Sequence, residues 1–183
     1  RVGFVSETVS SDGFKMDYTL PTAGTVTVDN AFQSDTSFMV FNWSGFADAH
    51  SGMNSYDVMI GLSEGGSDIA PRRPTESLEI VTVSGLSLKN NVVYYGTIIG
   101  IDSVGNEISA NAPSITIDLV PPSIGTVADG NAEDLDWLND SAAVSVNWNG
   151  FSDLNGIGSY DVALGTSPGG VNIKDWEDFV KNN

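Results

Sequence analysis

Cysteine is absent from this 183-residue chain, which excludes disulfides, thiolate metal centres and cysteine nucleophiles together. A secreted domain without disulfides must take its stability from core burial, and about 100 residues suffice for that. Basic residues are scarce: 7 Lys and Arg stand against 24 Asp and Glu, for a formal net charge of −17. So acidic a surface repels nucleic acid and anionic lipid headgroups, whose capture needs Lys and Arg to neutralise phosphates. Long apolar runs are missing too. Stretches such as 92–95 and 98–101 fall far short of the roughly 20 residues a membrane helix requires, so no direct membrane insertion is expected. No secretory leader is visible and Arg1 is not a natural start, so the expectation is a piece of a longer polypeptide that continues in both directions. What the chain does have is 40% hydrophobic residues, the level of an ordinary globular protein, which places the acid on the surface of a folded domain.

One stretch is present twice. Asn42-Trp43-Ser44-Gly45-Phe46-Ala47-Asp48 returns as Asn147-Trp148-Asn149-Gly150-Phe151-Ser152-Asp153. Ser55-Tyr56-Asp57-Val58 then matches Ser159-Tyr160-Asp161-Val162, and Gly61-Leu62-Ser63-Glu64-Gly65-Gly66 matches Gly165-Thr166-Ser167-Pro168-Gly169-Gly170. Trp43 and Trp148 lie 105 positions apart, Tyr56 and Tyr160 104, Pro21 and Pro122 101, so one unit is a little over a hundred residues with small loop insertions.

The proline landmarks mark the joints. Asp17-Tyr18-Thr19-Leu20-Pro21 recurs as Asp118-Leu119-Val120-Pro121-Pro122, each followed by Gly-Thr-Val, and proline there stops strand pairing and stiffens the connection. The expected organisation is the last strand of a preceding repeat over 1–19, with Val2-Gly3 echoing Val104-Gly105, a complete unit over 20–119, and the N-terminal part of the next repeat over 120–183.

β-branched and aromatic alternation broken by Gly, Asn, Asp and Ser predicts strands over 25–28, 36–43, 55–61, 78–84, 92–101 and 114–118. Met39, Phe41 and Trp43 fall on one face of their strand; Val144, Val146 and Trp148 do the same in the second unit. Only 174–181 leaves room for a helix. The fold class is all-β, with short turns between the strands.

Trp43, Tyr56, Gly85-Leu86-Ser87-Leu88, Tyr94, Ile98, Asp102 and Gly105 together resemble the fibronectin type III pattern, departing from it at Gly96 and Gly100. The resemblance implies tandem Ig-like, fibronectin type III-like β-sandwiches, with the tryptophan in the core and Tyr94 packed on Leu88 as a tyrosine corner. The ordered motifs Trp-x-Gly-Phe-x-Asp, Ser-Tyr-Asp-Val and Gly-x-Ser-x-Gly-Gly also resemble repeats in very large secreted proteins of gliding and marine Bacteroidetes. That implies an extracellular or cell-surface location.

Several residues invite a chemical reading. Asp48 and Asp153 close the repeated string while Asp17 and Asp118 sit at the joints, and carboxylates converging there suit a structural calcium ion; the competing reading is that they cap turns by accepting backbone N–H groups. Asp134, Asp136 and Asp140 form the densest acidic cluster, which a solvated loop explains equally. His50 is the only histidine, and a triad with Ser51 or Ser55 and Asp48 would need three roles from near neighbours with no oxyanion hole. Gly61-Leu62-Ser63-Glu64-Gly65 imitates a nucleophile elbow, but its recurrence with a proline as Gly165-Thr166-Ser167-Pro168-Gly169 marks a structural turn. Trp137 and Trp176 remain as contact residues if Trp43 and Trp148 are core.

The sequence therefore assigns no catalytic, cofactor or metal-binding residue outright, and the expectation is not an enzyme. It is a non-catalytic repeat segment of a long extracellular adhesin or cell-surface filament, a spacer and multivalent contact surface. Its partners would be neighbouring repeats of the same chain and other cell-surface proteins or polysaccharide. The alternative is a set of accessory or carbohydrate-binding modules of a secreted polysaccharide-degrading enzyme.

Overall fold

A computed structural model of the chain describes residues 3, 7–130, 134, 136–137, 139 and 142–180. Every regular element among them is a strand. The chain divides into two compact units, Arg1–Ile117 and Asp118–Asn183. Val2 of the echo at the start of the chain, Asp140 of the acidic cluster and the last residue of the 174–181 segment lie outside the described residues.

In the first unit the strands are β1 (Thr25–Thr27), β2 (Phe32–Gln33), β3 (Phe38–Ser44), β4 (Met53–Gly61), β5 (Ala70–Pro74), β6 (Ile80–Ser84), β7 (Val93–Asp102), β8 (Glu107–Asn111) and β9 (Ile115–Ile117). They form two sheets. One has the order β1-β3-β6; the other has the order β2-β9-β7-β4-β5, with β8 also paired to β7. All pairings are antiparallel except β2 with β9. Alternation along β3 sends Met39, Phe41 and Trp43 inward, where they meet Tyr56, Val58 and Ile60 of β4 and Tyr94 and Ile98 of β7 in one buried cluster. Each such apolar side chain contributes about 1.5–3 kcal/mol by leaving water.

The two glycines on the inward face of β7 are where this core is tightest. A Cβ on Gly96 would stand 2.8 Å from Phe41 Cδ1 and nearer still to two other carbons of the same ring. One on Gly100 would stand 2.8 Å from Met53 Cε, 2.9 Å from Phe46 Cδ1 and 3.3 Å from Tyr56 Cε1. Aromatic rings from β3 and from the segment that follows it occupy the space that side chains on β7 would otherwise take. Near the opposite end of β7 the buried Tyr94 hydroxyl accepts the Lys89 backbone N–H at 2.8 Å, beside the buried Leu88. On the outer surface Arg72 of β5 donates to Asp57 of β4 at 2.6 Å and makes two bonds to Glu107 of β8.

The second unit contains β10 (Thr126–Asp129), β11 (Val146–Asn149), β12 (Ser159–Leu164) and β13 (Lys174–Val180), in the two-stranded sheets β10-β11 and β12-β13. Its local geometry repeats that of the first. Val127 faces Trp148 as Val26 faces Trp43. Gly45 and Gly150, at φ +79° and +76°, make the turn that brings the next phenylalanine back onto the tyrosine. The ring centroids of Trp43 and Tyr56 are 5.3 Å apart and those of Phe46 and Tyr56 5.4 Å; the second unit has 5.4 Å for Trp148 and Tyr160, and 5.7 Å for Phe151 and Tyr160.

Two expectations need correction. The 174–181 segment is not helical: Lys174–Val180 pairs antiparallel with β12, because the tight Gly-Thr-Ser-Pro-Gly-Gly turn returns the chain along β12, and pairing overrides the helix-forming tendency of its charged residues. Trp148 is only half-buried, whereas Trp43 is 4% exposed, since in the first unit β7 and Met53 cover the aromatic group from the other side.

Shared space between Phe41 and Gly96 has a measurable signature. Gly96→Val should lower stability in urea denaturation by about 1–3 kcal/mol, and adding Phe41→Leu should recover part of that loss. Strictly additive costs would mean that the two positions do not compete for one volume.

Candidate functional site: an acidic pole at the joint segment

Three segments of the first unit meet at one end of its sheets: residues 17–22, the stretch that the sequence reads as a joint; the loop between β3 and β4; and the turn between β7 and β8. The joint is pinned by a bridge, with Thr22 N donating to Ala47 O at 2.7 Å and Ala47 N returning to Thr22 O at 3.3 Å. Asn106 adds a bond from its side-chain amide to Thr19 O at 3.0 Å, and Ser103 N donates to Gly52 O at 3.0 Å. Asp17, Asp48 and Asp102 are thereby gathered at this end of the unit, together with His50.

Asp17 and Asp48 cap turns, the reading that competes with calcium for these two residues, and Asp102 caps a third. Asp48 Oδ1 accepts the backbone N–H groups of His50 at 2.9 Å, Ser51 at 2.6 Å and Gly52 at 3.1 Å. Asp17 Oδ1 accepts Thr19 N–H at 2.9 Å. Asp102, 1% exposed, takes the N–H groups of Val104 and Asn106 on Oδ1 and the Asn106 side-chain amide on Oδ2.

The electrostatics follow from those donors. The Thr19 N–H holds the Asp17 carboxyl below the usual carboxylate range despite burial. The Ser51 N–H does the same for Asp48, against burial and the nearby charge of Asp17. For Asp102 burial is the largest influence and pushes upward, but the Asn106 side chain and the Asn106 and Val104 N–H groups outweigh it, so this carboxyl too is lowered.

The placement of the other sequence candidates is mixed. Asp17, Asp48 and His50 come together, each offering a ligand atom within 4.8 Å of the others. His50 Nδ1 lies 3.1 Å from Thr19 Oγ1 and 3.9 Å from Asp17 Oδ1, and the Ser51 hydroxyl donates to Asp48 Oδ1 at 3.3 Å, so the hydroxyl is directed at the aspartate. Ser63 and Ser167 sit in turns closed by Gly66 N–H to Ser63 O and Gly170 N–H to Ser167 O, between antiparallel strands, where no elbow geometry arises. Asp134, Asp136 and Trp137 are exposed, as is Trp176 on β13, while Trp43 belongs to the core.

The second unit repeats the arrangement with one exchange. Ser123 N donates to Ser152 O at 2.8 Å where Thr22 meets Ala47. Asp153 Oδ1 accepts Asn155 N–H at 2.8 Å, and the Asn155 side-chain amide donates to Asp118 Oδ2. Asn155 stands where the first unit has His50. That alignment was the available signal for a pairing of Asp17 with His50; sequence reasoning also left Asp102 without a role, because nothing local marks it as buried.

Asp17, Asp48, Asp102 and Asp118 titrate below their unfolded values, so the unfolded chain binds more protons near pH 4 and stability rises with pH through that region. Their contribution is full above about pH 5 and is lost as pH falls through about 4 and below. The melting temperature should therefore be flat from neutral pH to about 5 and fall steeply below about 4. Asp102→Asn should start lower and decline less steeply; an acid profile parallel to that of the unsubstituted chain would contradict this role.

No protein-family model matches this chain and no curated protein sequence matches it, so the meaning of the pole rests on its own geometry.

Proposed function

We propose that this chain is a non-catalytic stretch of a long extracellular adhesin or cell-surface filament, built from fibronectin type III-like sandwiches in tandem and acting as spacer and multivalent contact surface. The observation that carries the proposal is the recurrence of one joint geometry: in each unit an Asp-x-x-x-Pro segment bridges onto the residue before the loop aspartate, at Thr22 with Ala47 and at Ser123 with Ser152. A joint built the same way twice suits a chain whose purpose is to hold like domains in succession.

The strand arrangement supports the Ig-like part of the reading. With β1, β3 and β6 taken as strands A, B and E, and β4, β7 and β8 as C, F and G, the first unit divides as an Ig-type sandwich does. The Tyr94 hydroxyl on Lys89 N–H matches a tyrosine corner, and Leu88 and Tyr94 are both buried beside it. The acidic surface suits an extracellular module that keeps its neighbours apart. In this reading the domains run from 20 to 119 and onward from 120, with partners among neighbouring repeats, other surface proteins or polysaccharide. The second reading, a carbohydrate-binding accessory module, is favoured by the exposed indoles of Trp137 and Trp176, 91% and 62% exposed.

Small-angle scattering on a concatenation of four copies of residues 20–119 tests the first reading. The maximum dimension should grow in equal steps with copy number. A compact particle would overturn the spacer role, and glycan binding by the 183-residue chain that is lost in Trp176→Ala would favour the second reading.

A further inference from the structure

Asp17 stands apart from the other capping aspartates. Its side chain is only 7% exposed, and its Oδ2 is buried with no hydrogen-bond partner of normal geometry among the described residues, although the Ser51 and Thr19 side chains stand close enough to help hold the carboxyl low. An ionised carboxylate withdrawn from water with an unused oxygen is costly unless a cation or a donor meets it. The His50 ring stands beside it, with Nδ1 3.9 Å from Asp17 Oδ1, and Asp48 adds a second carboxylate to the same small volume.

The second unit supplies an internal comparison. There the equivalent carboxylate, Asp118, receives the Asn155 side-chain amide on Oδ2. An amide hydrogen thus satisfies the joint aspartate in one unit. In the other, an imidazole replaces the amide and Oδ2 of the aspartate is left without a hydrogen-bond partner of normal geometry. The three backbone N–H groups on Asp48 Oδ1 fix that carboxylate in place, as outer-shell donors do for metal ligands.

We infer that Asp17, Asp48 and His50 form a binding site for a single divalent transition-metal ion of the zinc class, which ties the joint segment to the loop between β3 and β4. Two carboxylate oxygens and one imidazole nitrogen are three of the four ligands of an open tetrahedral centre, with water as the fourth. Donors at about 2.1 Å from a common ion stand roughly 3.4 Å apart, so ligand atoms that all lie within 4.8 Å of one another need only small side-chain rotations to meet one. The imidazole selects against calcium, which takes six to eight oxygens and for which this set is too small. The site is independent of the array reading: a metal ion stiffens the joint whether or not further repeats adjoin it.

The only histidine of the chain makes the test direct. Zinc chloride is titrated into chelator-treated protein at neutral pH, with calorimetry for stoichiometry and the imidazole nitrogen resonances of His50 followed by NMR. The expected result is one-to-one binding, displacement of the His50 ring signals, and a higher melting temperature, with millimolar calcium leaving the ring signals in place. His50→Asn, which copies the second unit at an exposed position, and Asp17→Asn should each weaken binding about tenfold or more. Unmoved His50 signals at stoichiometric zinc would overturn the inference. So would undiminished affinity in Asp17→Asn, which would leave only a surface imidazole, or calcium binding that survives His50→Asn. The exposed substitution keeps the test decisive even where Asp17→Asn fails to fold.

Discussion

The first unit depends on aromatic rings being admitted through the backbone of its longest strand. Phe41 crosses from β3 onto Gly96, and Phe46 and Tyr56 close over Gly100, so β7 contributes space to the core at alternate positions and side chains at the others. The tryptophan is held by the same arrangement. Trp43 packs on Tyr56, Tyr56 on Phe46, and Phe46 on the gap at Gly100, which places the loop after β3 at a fixed height above the sheet. A residue with a side chain at Gly100 would displace not one ring but the whole descent from strand to loop.

That loop carries the acidic pole, so packing and electrostatics are coupled by position. Asp48 follows two residues after Phe46, and its carboxylate organises the turn that leads into β4 by gathering three N–H groups. The Thr22 bridge is made to Ala47, between the ring and the carboxylate, so the joint reads the position of the core through a single residue. In the second unit Phe151, Ser152 and Asp153 stand in the same relation, and the half-burial of its aromatic rings leaves the bridge to Ser123 intact. The repeated string is thus a unit of construction: tryptophan and phenylalanine for the core, glycine for the turn between them, aspartate for the loop.

Much of this was legible in the residues and some was not. The six strands expected in the first unit all occur, with boundaries moved by one or two residues, because each has a clear alternation. Phe32–Gln33 was too short to announce itself, and Ala70–Pro74 was hidden by two prolines and two arginines that only an edge position tolerates. Glu107–Asn111 is mostly polar or exposed and is a strand because β7 pairs with it. Gly96 and Gly100 looked like departures from a pattern, since a gap and a partner ring on another strand have no common signature along the chain. The same limit applies to the pole. Asp17 and Asp48 were visible as repeated acids, yet their convergence with a histidine 33 positions from Asp17 is a property of the folded loops.

The outermost strands bear on what two such units do to each other. A free strand edge invites a neighbour to add on, and like domains on one chain meet that hazard at high local concentration. β5 meets it with Pro71 and Pro74, which withhold ladder donors, and with Arg72 and Arg73. Its counterpart β13 has no proline and carries Lys174, Asp175, Glu177 and Asp178 instead. One edge refuses a partner sterically and the other by charge, so the first stays refractory to exchange at any ionic strength while the second loses part of its protection in concentrated salt.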